Sequence, residues 1–302
     1  MRLSGRVLQR GFRSEWAIVL TAMAGTLLFS IRAFSQPDIK TNIASGPATR
    51  AEDGANAGAI AAAAHESPAA NPGRPTVSTP ATLTPAGYLQ FETGLLAAWH
   101  SPEFSSQASI GEVIKFAVSR RVQFLAVSQP FVHSDSQPAD GTGDVSPGVQ
   151  VVFWQGEGAR PTFSSSYFHR VLSGGTPDLD IGSASNSVIL LASADVKGFH
   201  CDTNYIFNEV ESDEDVRRPQ FGQTLSVSHG VGKKFGVSGE LWDFTQPFLR
   251  SYAFGNLWAA NYNARKNLVL DVAFDRGLTT TSTRWEILAG FTYLLPRKIR
   301  LR

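Results

Sequence analysis

The sequence predicts an all-β protein: a transmembrane, antiparallel, up-and-down β-barrel of about twelve strands. Three observations lead there. Runs of about ten residues alternate apolar and polar side chains from Gly87 onward, the length a tilted membrane strand needs. Their connections alternate between short turns and longer loops, as in a meander. Aromatic residues gather near the ends of the runs, where the interfaces of a bilayer would lie.

Composition narrows the class. The chain has 302 residues, a formal net charge of +1 and one cysteine. That balance points away from nucleic acid and from disorder throughout. One cysteine excludes an intrachain disulfide framework and a Cys-based zinc site. No internal apolar run is long enough for a transmembrane helix.

The chain opens with Arg2, Arg6, Arg10 and Arg13, followed by the apolar stretch Trp16–Ile31 and by the small residues Ala33 and Ser35. This reads as a signal peptide over residues 1–35, and the lack of a cysteine after it argues against a lipoprotein. Residues 36–85 are rich in Ala, Pro, Gly, Ser and Thr and are expected to form a disordered linker with no chemistry of its own. The barrel is expected over 86–296, with a basic tail at 297–302.

Strands are expected at 87–98, 108–119, 121–132, 143–154, 160–172, 185–195, 197–208, 219–231, 235–246, 250–263, 267–277 and 283–295. The stretch "NLVLDVAFDRGL" (267–278) shows the logic. On a helix its two acids would stack four residues apart and repel. On a strand Leu268, Leu270, Val272 and Phe274 face one way, and Asp271, Ala273 and Asp275 the other. Similar alternation runs through "GFHCDTNYIFN", "PQFGQTLSVSHGV", "SYAFGNLWAANYN" and "RWEILAGFTYLL". It is least clean in the second, third and fifth runs. Short connections include 119–121, 232–234 and 264–266; longer ones include 133–142, 173–184 and 209–218.

Alternation alone also fits a soluble secreted β protein with its apolar face inside. Strand length, the export signal and the aromatics select the membrane reading. The expected interfacial aromatics are Trp99, Trp154, Tyr252, Trp258, Tyr262, Trp285 and Tyr293, with Trp242 placed among them. Outer-membrane lipid is then the partner of the apolar face.

The polar face supplies the candidate solute path: Glu92, Lys115, Gln150, His200, Asp202, Asn204, Glu240, Asp271, Asp275 and Glu286. Acids outnumber bases, which favours cations or neutral solutes in a narrow, partly filled lumen. Glu92 is expected near Glu286, because the first and last strands close the barrel. His200, Asp202 and Asn204 read as a polar stripe and not a metal site. Ser228 with His229, and Ser166 with His169, would diverge across the sheet, and no GxSxG elbow occurs, so an enzyme is not expected. The acids of "ESDEDVRR" lack the spacing and central glycine of a calcium loop. Cys201 is expected to face lipid. No cofactor is implied.

Five blocks, in order, carry a resemblance: "TPAGYLQFETGL" with Gln90, Glu92 and Gly94; "GTGDVSPGVQV" with Gly143, Asp144, Val145 and Gly148; "YFHRVLSGG" (167–175); "NLVLDVAFDRGL" with Asp271 and Gly277; and the closing "WEILAGFTYLL". Together they resemble the outer-membrane "MetA-pathway of phenol degradation" transporter family over roughly Leu83 to Leu295. The resemblance implies a barrel passing small, hydrophobic or aromatic solutes, inserted by the outer-membrane assembly machinery through Gly290, Tyr293 and Leu295. The sequence departs from that pattern in Leu288, in the long linker, and in "PRKIRLR", which follows where such chains usually end. A non-conducting barrel with ligand- or partner-binding loops is the main alternative.

Overall fold

In the computed structural model, residues 68–175, 184–211 and 216–299 are described. The expected signal peptide, most of the expected linker and the acids Asp213–Asp215 lie outside them. The strands are β1 (Leu89–Trp99), β2 (Ser106–Ala117), β3 (Val122–Ser134), β4 (Asp140–Gly141), β5 (Val145–Trp154), β6 (Thr162–His169), β7 (Ala184–Val196), β8 (Phe199–Glu211), β9 (Arg217–Val231), β10 (Phe235–Gln246), β11 (Ser251–Arg265), β12 (Leu268–Gly277) and β13 (Trp285–Leu294). β4 is a two-residue ladder laid on β3. The other twelve form one antiparallel wall in sequence order, closed where β1 pairs with β13.

The wall inverts the usual arrangement of a soluble protein. In β12, Val269, Asp271, Ala273 and Asp275 are buried, whereas Leu270, Val272 and Phe274 are exposed. The same holds around the barrel: Leu95, Phe124, Val151, Leu190, Val237, Trp258 and Ile287 are all exposed. A soluble β protein would bury these side chains. A belt of this size demands an apolar solvent. The two acids in the greasy run are therefore inside, and the grease is outside against lipid.

The start of β1 and the end of β13 share a rim with the connections 118–121, 155–161, 197–198, 232–234 and 266–267. The other rim carries 100–105, 135–144, 170–175, 247–250 and 278–284. Lys197 and Gly198 both take positive φ (51° and 85°), as a two-residue hairpin matched to strand twist requires. In an outer-membrane barrel the short-turn rim faces the periplasm.

A bulge explains the blurred alternation of the third run, 121–132. The β2–β3 register shifts between Ile110 and Glu112, and the β5–β6 register between Val152 and Trp154. A bulge flips the face of every residue beyond it. β3 accordingly buries Gln123 and Leu125 below the shift but Val132 and Ser134 above it.

The outer belt makes a first prediction. Val272→Arg places a charge on the lipid face and should cost about 2–4 kcal/mol of folding free energy if that position is near the midplane. Denaturant-dependent folding into lipid vesicles measures it; a cost below ~0.5 kcal/mol would place Val272 outside the hydrocarbon.

Candidate functional site

The inner face presents carboxylates, amides and hydroxyls that the wall itself does not satisfy. Burying them without partners would be costly. Their partners come from an unexpected source. Residues 70–85, expected as part of a disordered linker, run through the barrel interior on a defined path. Four prolines, Pro72, Pro75, Pro80 and Pro85, keep this stretch extended and without internal ladders. Its backbone groups are thus available to the wall.

The segment enters at the short-turn rim, where Ala70 N–H donates to the Lys266 carbonyl (2.8 Å). Gln90 pairs with the backbone of Asn71 in both directions, accepting its N–H (2.8 Å) and donating to its carbonyl (2.7 Å). Gly73 N–H donates to both oxygens of Glu92 (3.1 and 3.2 Å). Halfway up, Glu240 accepts the N–H groups of Val77 (2.8 Å) and Ser78 (2.6 Å) and the Ser78 hydroxyl (2.5 Å). Asn204 pairs in both directions with Thr79 (2.7 and 2.9 Å).

The chain then descends. Gln150 donates to the Pro80 carbonyl (3.0 Å), Ser193 accepts from Ala81 N–H (2.7 Å), and Gln123 accepts the N–H and hydroxyl of Thr84 (2.8 and 2.6 Å). Gly87 N–H reaches the Ala117 carbonyl (2.6 Å), back at the starting rim. Asn71 donates to the Thr82 carbonyl (2.9 Å), tying the two arms of the U together. The exposed tail residues Arg297–Ile299 lie over this exit, with Ile299 N–H on the Gly87 carbonyl (2.8 Å).

Arg74 is the one charged residue on this stretch. Its guanidinium lies 3.4 Å from Asp271 Oδ1, and both side chains are largely buried. It rests against Gly94 and Gly290, which are paired across β1 and β13. A Cβ on Gly94 would collide with the guanidinium, and one on Gly290 would lie 2.7 Å from Nη2. Two facing glycines thus open a socket in the wall for a side chain from the inner segment.

All ten residues expected on the solute path lie on the inner face. Glu92, Lys115, Gln150, Asn204, Glu240, Asp271, Asp275 and Glu286 are buried; His200 and Asp202 are intermediate. The structure pairs them in ways that pattern reading does not give. Lys115 Nζ sits 2.5 Å from Glu92. His200 bridges Asp195 (2.7 Å) and Asp202 (3.2 Å), and Ser193 donates to Asp202 (2.5 Å). Among the described residues no group of three His, Cys, Asp or Glu is placed to hold a metal ion.

Three expectations need correction. Residues 70–85 are not a linker without chemistry, because they satisfy the lumen. Glu92 does not meet Glu286: it stands opposite Thr292, whereas Glu286 stands opposite Ala98 and is the cross-strand partner of Asp275. Six residues of strand separate the two levels, about 20 Å. Trp242 is not an interfacial aromatic. It is 2% exposed, and its indole N–H donates to both oxygens of Asp275 (3.0 and 2.9 Å). Of the other aromatics, Trp99, Trp154, Tyr252 and Trp258 are exposed outward, and Tyr262, Trp285 and Tyr293 are half-buried. Arg276 covers the Trp285 ring at 4.6 Å, and Lys234 lies 5.7 Å from the Tyr262 ring.

Ser166 faces inward and is buried, whereas His169 is exposed and bonds Asn186 (2.9 Å), so that pair diverges. Two sequence blocks meet on the loop side. Asp144 accepts from Gly174 N–H (2.7 Å) and pairs with Arg170 (3.3 Å), joining "GTGDVSPGVQV" to "YFHRVLSGG".

No family model and no curated protein matches the chain. Solved structures do. An outer membrane channel from Pseudomonas putida F1 overlays with a TM-score of 0.52 at 13% identity, covering 71% of this chain and 97% of that one. The KdgM porin in complex with disordered oligogalacturonate (TM-score 0.47, 11% identity, 68% and 98% covered) and the NanC porin (0.47, 9%, 70% and 100%) overlay less closely.

The Lys115–Glu92 contact supplies a second prediction. Glu92→Gln leaves a buried ammonium without its counter-charge and should destabilise the barrel by about 3–5 kcal/mol, with Lys115→Met in the same chain recovering most of it. Urea unfolding in vesicles checks both; a loss under ~1 kcal/mol would mean that water reaches Lys115.

Proposed function

Starting from the outer-membrane β-barrel fold, we propose that the protein is a channel through which small solutes pass by diffusion, without cofactor or covalent step. The carrying observation is a closed wall, apolar outside, whose inner face bears Glu92, Asp202, Glu240, Asp271, Asp275 and Glu286 together with Lys115. Such a lining favours cationic and neutral solutes over anions. The indole of Trp242, held by Asp275 on the loop side of the barrel interior, is 2% exposed and would meet a solute once that interior opened. It suits the small aromatic solutes implied by the phenol-degradation resemblance. The last strand, with Gly290, Tyr293 and Leu295, is read as the signal for the assembly machinery.

One observation favours a second reading. Residues 70–85 fill the lumen at mid-height, so the described state is closed. A barrel that never opens would serve as a platform for its loops.

Conductance of the folded full chain in a planar bilayer separates the two. The channel reading predicts discrete current steps with cation preference. A heat-modifiable, folded barrel that gives no steps and no solute uptake in liposomes would contradict it and leave the loops as the working surface.

A further inference from the structure

We propose that residues 68–86 are a releasable plug, latched by Arg74 on Asp271, and that their withdrawal toward the short-turn rim opens a cation-preferring lumen. This rests on the channel reading above and adds the gate and the charge class of the solute.

The path of the segment allows withdrawal. Both ends of the U lie at one rim, at Lys266 and Ala117, so it can leave without threading through the barrel. Its hold on the wall is polar: one to three hydrogen bonds each to Gln90, Glu92, Glu240, Asn204, Ser193 and Gln123, which water can replace. The apolar residues it buries are small, Pro75, Pro80 and Ala81, and Val77 at its apex is 37% exposed, so open space already reaches the top of the plug.

The latch is strained in its hydrogen bonding. Arg74 Nε and Asp271 Oδ2 are buried with no hydrogen-bond partner, and the single contact between the two groups is long at 3.4 Å. Buried polar groups are nearly always satisfied, and this exception leaves the one charge of the plug held to the wall by a single long contact. The glycine socket shows that the wall is shaped for this side chain and for nothing larger at those positions. Release removes the one plug charge and strips Glu240 and Asp271 of their donors. Glu92 keeps Lys115, so the bared mid-lumen charge is negative.

The test uses the full chain in a Cys201→Ser background, with Ala81→Cys as a reporter at a position that is 0% exposed in the closed state. Reaction with a maleimide-polyethylene glycol reads plug release independently of current. Arg74→Ala should speed labelling about tenfold, the factor for ~1.4 kcal/mol of latch. Asp271→Asn, which keeps the side-chain shape, should act in the same direction and serves if Arg74→Ala misfolds. Heat-dependent gel migration verifies the barrel in every variant. Bilayer openings should become more frequent in parallel, with a cation-preferring reversal potential for Arg74→Ala that weakens when Asp271→Asn is added. Unchanged labelling in both latch variants, with a folded barrel, would overturn the plug while wild-type conductance left the channel reading standing. Faster labelling across a silent membrane would instead overturn the channel reading, and the role of the plug as its gate with it. Anion-preferring openings would overturn the charge assignment.

Discussion

Everything in this fold follows from one constraint: inside a bilayer, no backbone N–H or C=O can turn to water. An open sheet would leave two rows of such groups in hydrocarbon, so the wall must close, and here β1 closes on β13 over ten consecutive pairs. Closure fixes the faces. With a strict two-residue period, one set of side chains meets lipid and the other is confined together inside. Leu270, Val272 and Phe274 take the first role, and Asp271 and Asp275 the second.

The inner set then meets the same constraint in side-chain form. Twelve strands enclose too much for side chains alone to fill and too little for a wide aqueous pore. The protein resolves this with its own chain. A proline-punctuated segment cannot form a strand or helix of its own, so its amides and carbonyls stay free to pair with wall groups. Gln90 and Asn204 each grip one residue of it in both directions, as a neighbouring strand would. The result is a lumen that is polar in composition and crossed at mid-height by residues 70–85.

The sequence carried the barrel plainly, because the two-residue period is written in every strand. The twelve expected runs overlap the twelve strands of the wall one for one. In the third run, where parity was obscure, a bulge opposite Ile110/Glu112 shifts the register, and no residue type announces a bulge. The ten inner-face positions were legible for the same reason, but their partners were not. Lys115 against Glu92 depends on a cross-strand register that alternation does not fix. Arg74 against Asp271 spans 197 residues of sequence. The inner segment was misread because composition measures what a stretch can bury by itself, and this one is ordered by a surface built elsewhere in the chain. Its quiet signals were one arginine between Gly73 and Pro75, and hydroxyl residues spaced among prolines. Trp242 misled because an indole near a strand end reads alike on either face.

The fold depends on which side of the wall meets lipid, and two native tryptophans on neighbouring strands report it. Trp258 is 64% exposed on the outer face, and Trp242 is buried on the inner one. Single-tryptophan variants of the full chain, folded into vesicles containing brominated lipids, should show strong quenching of Trp258 and almost none of Trp242. Equal quenching of both, or quenching of Trp242 alone, would contradict the assignment of faces and the lumen with it.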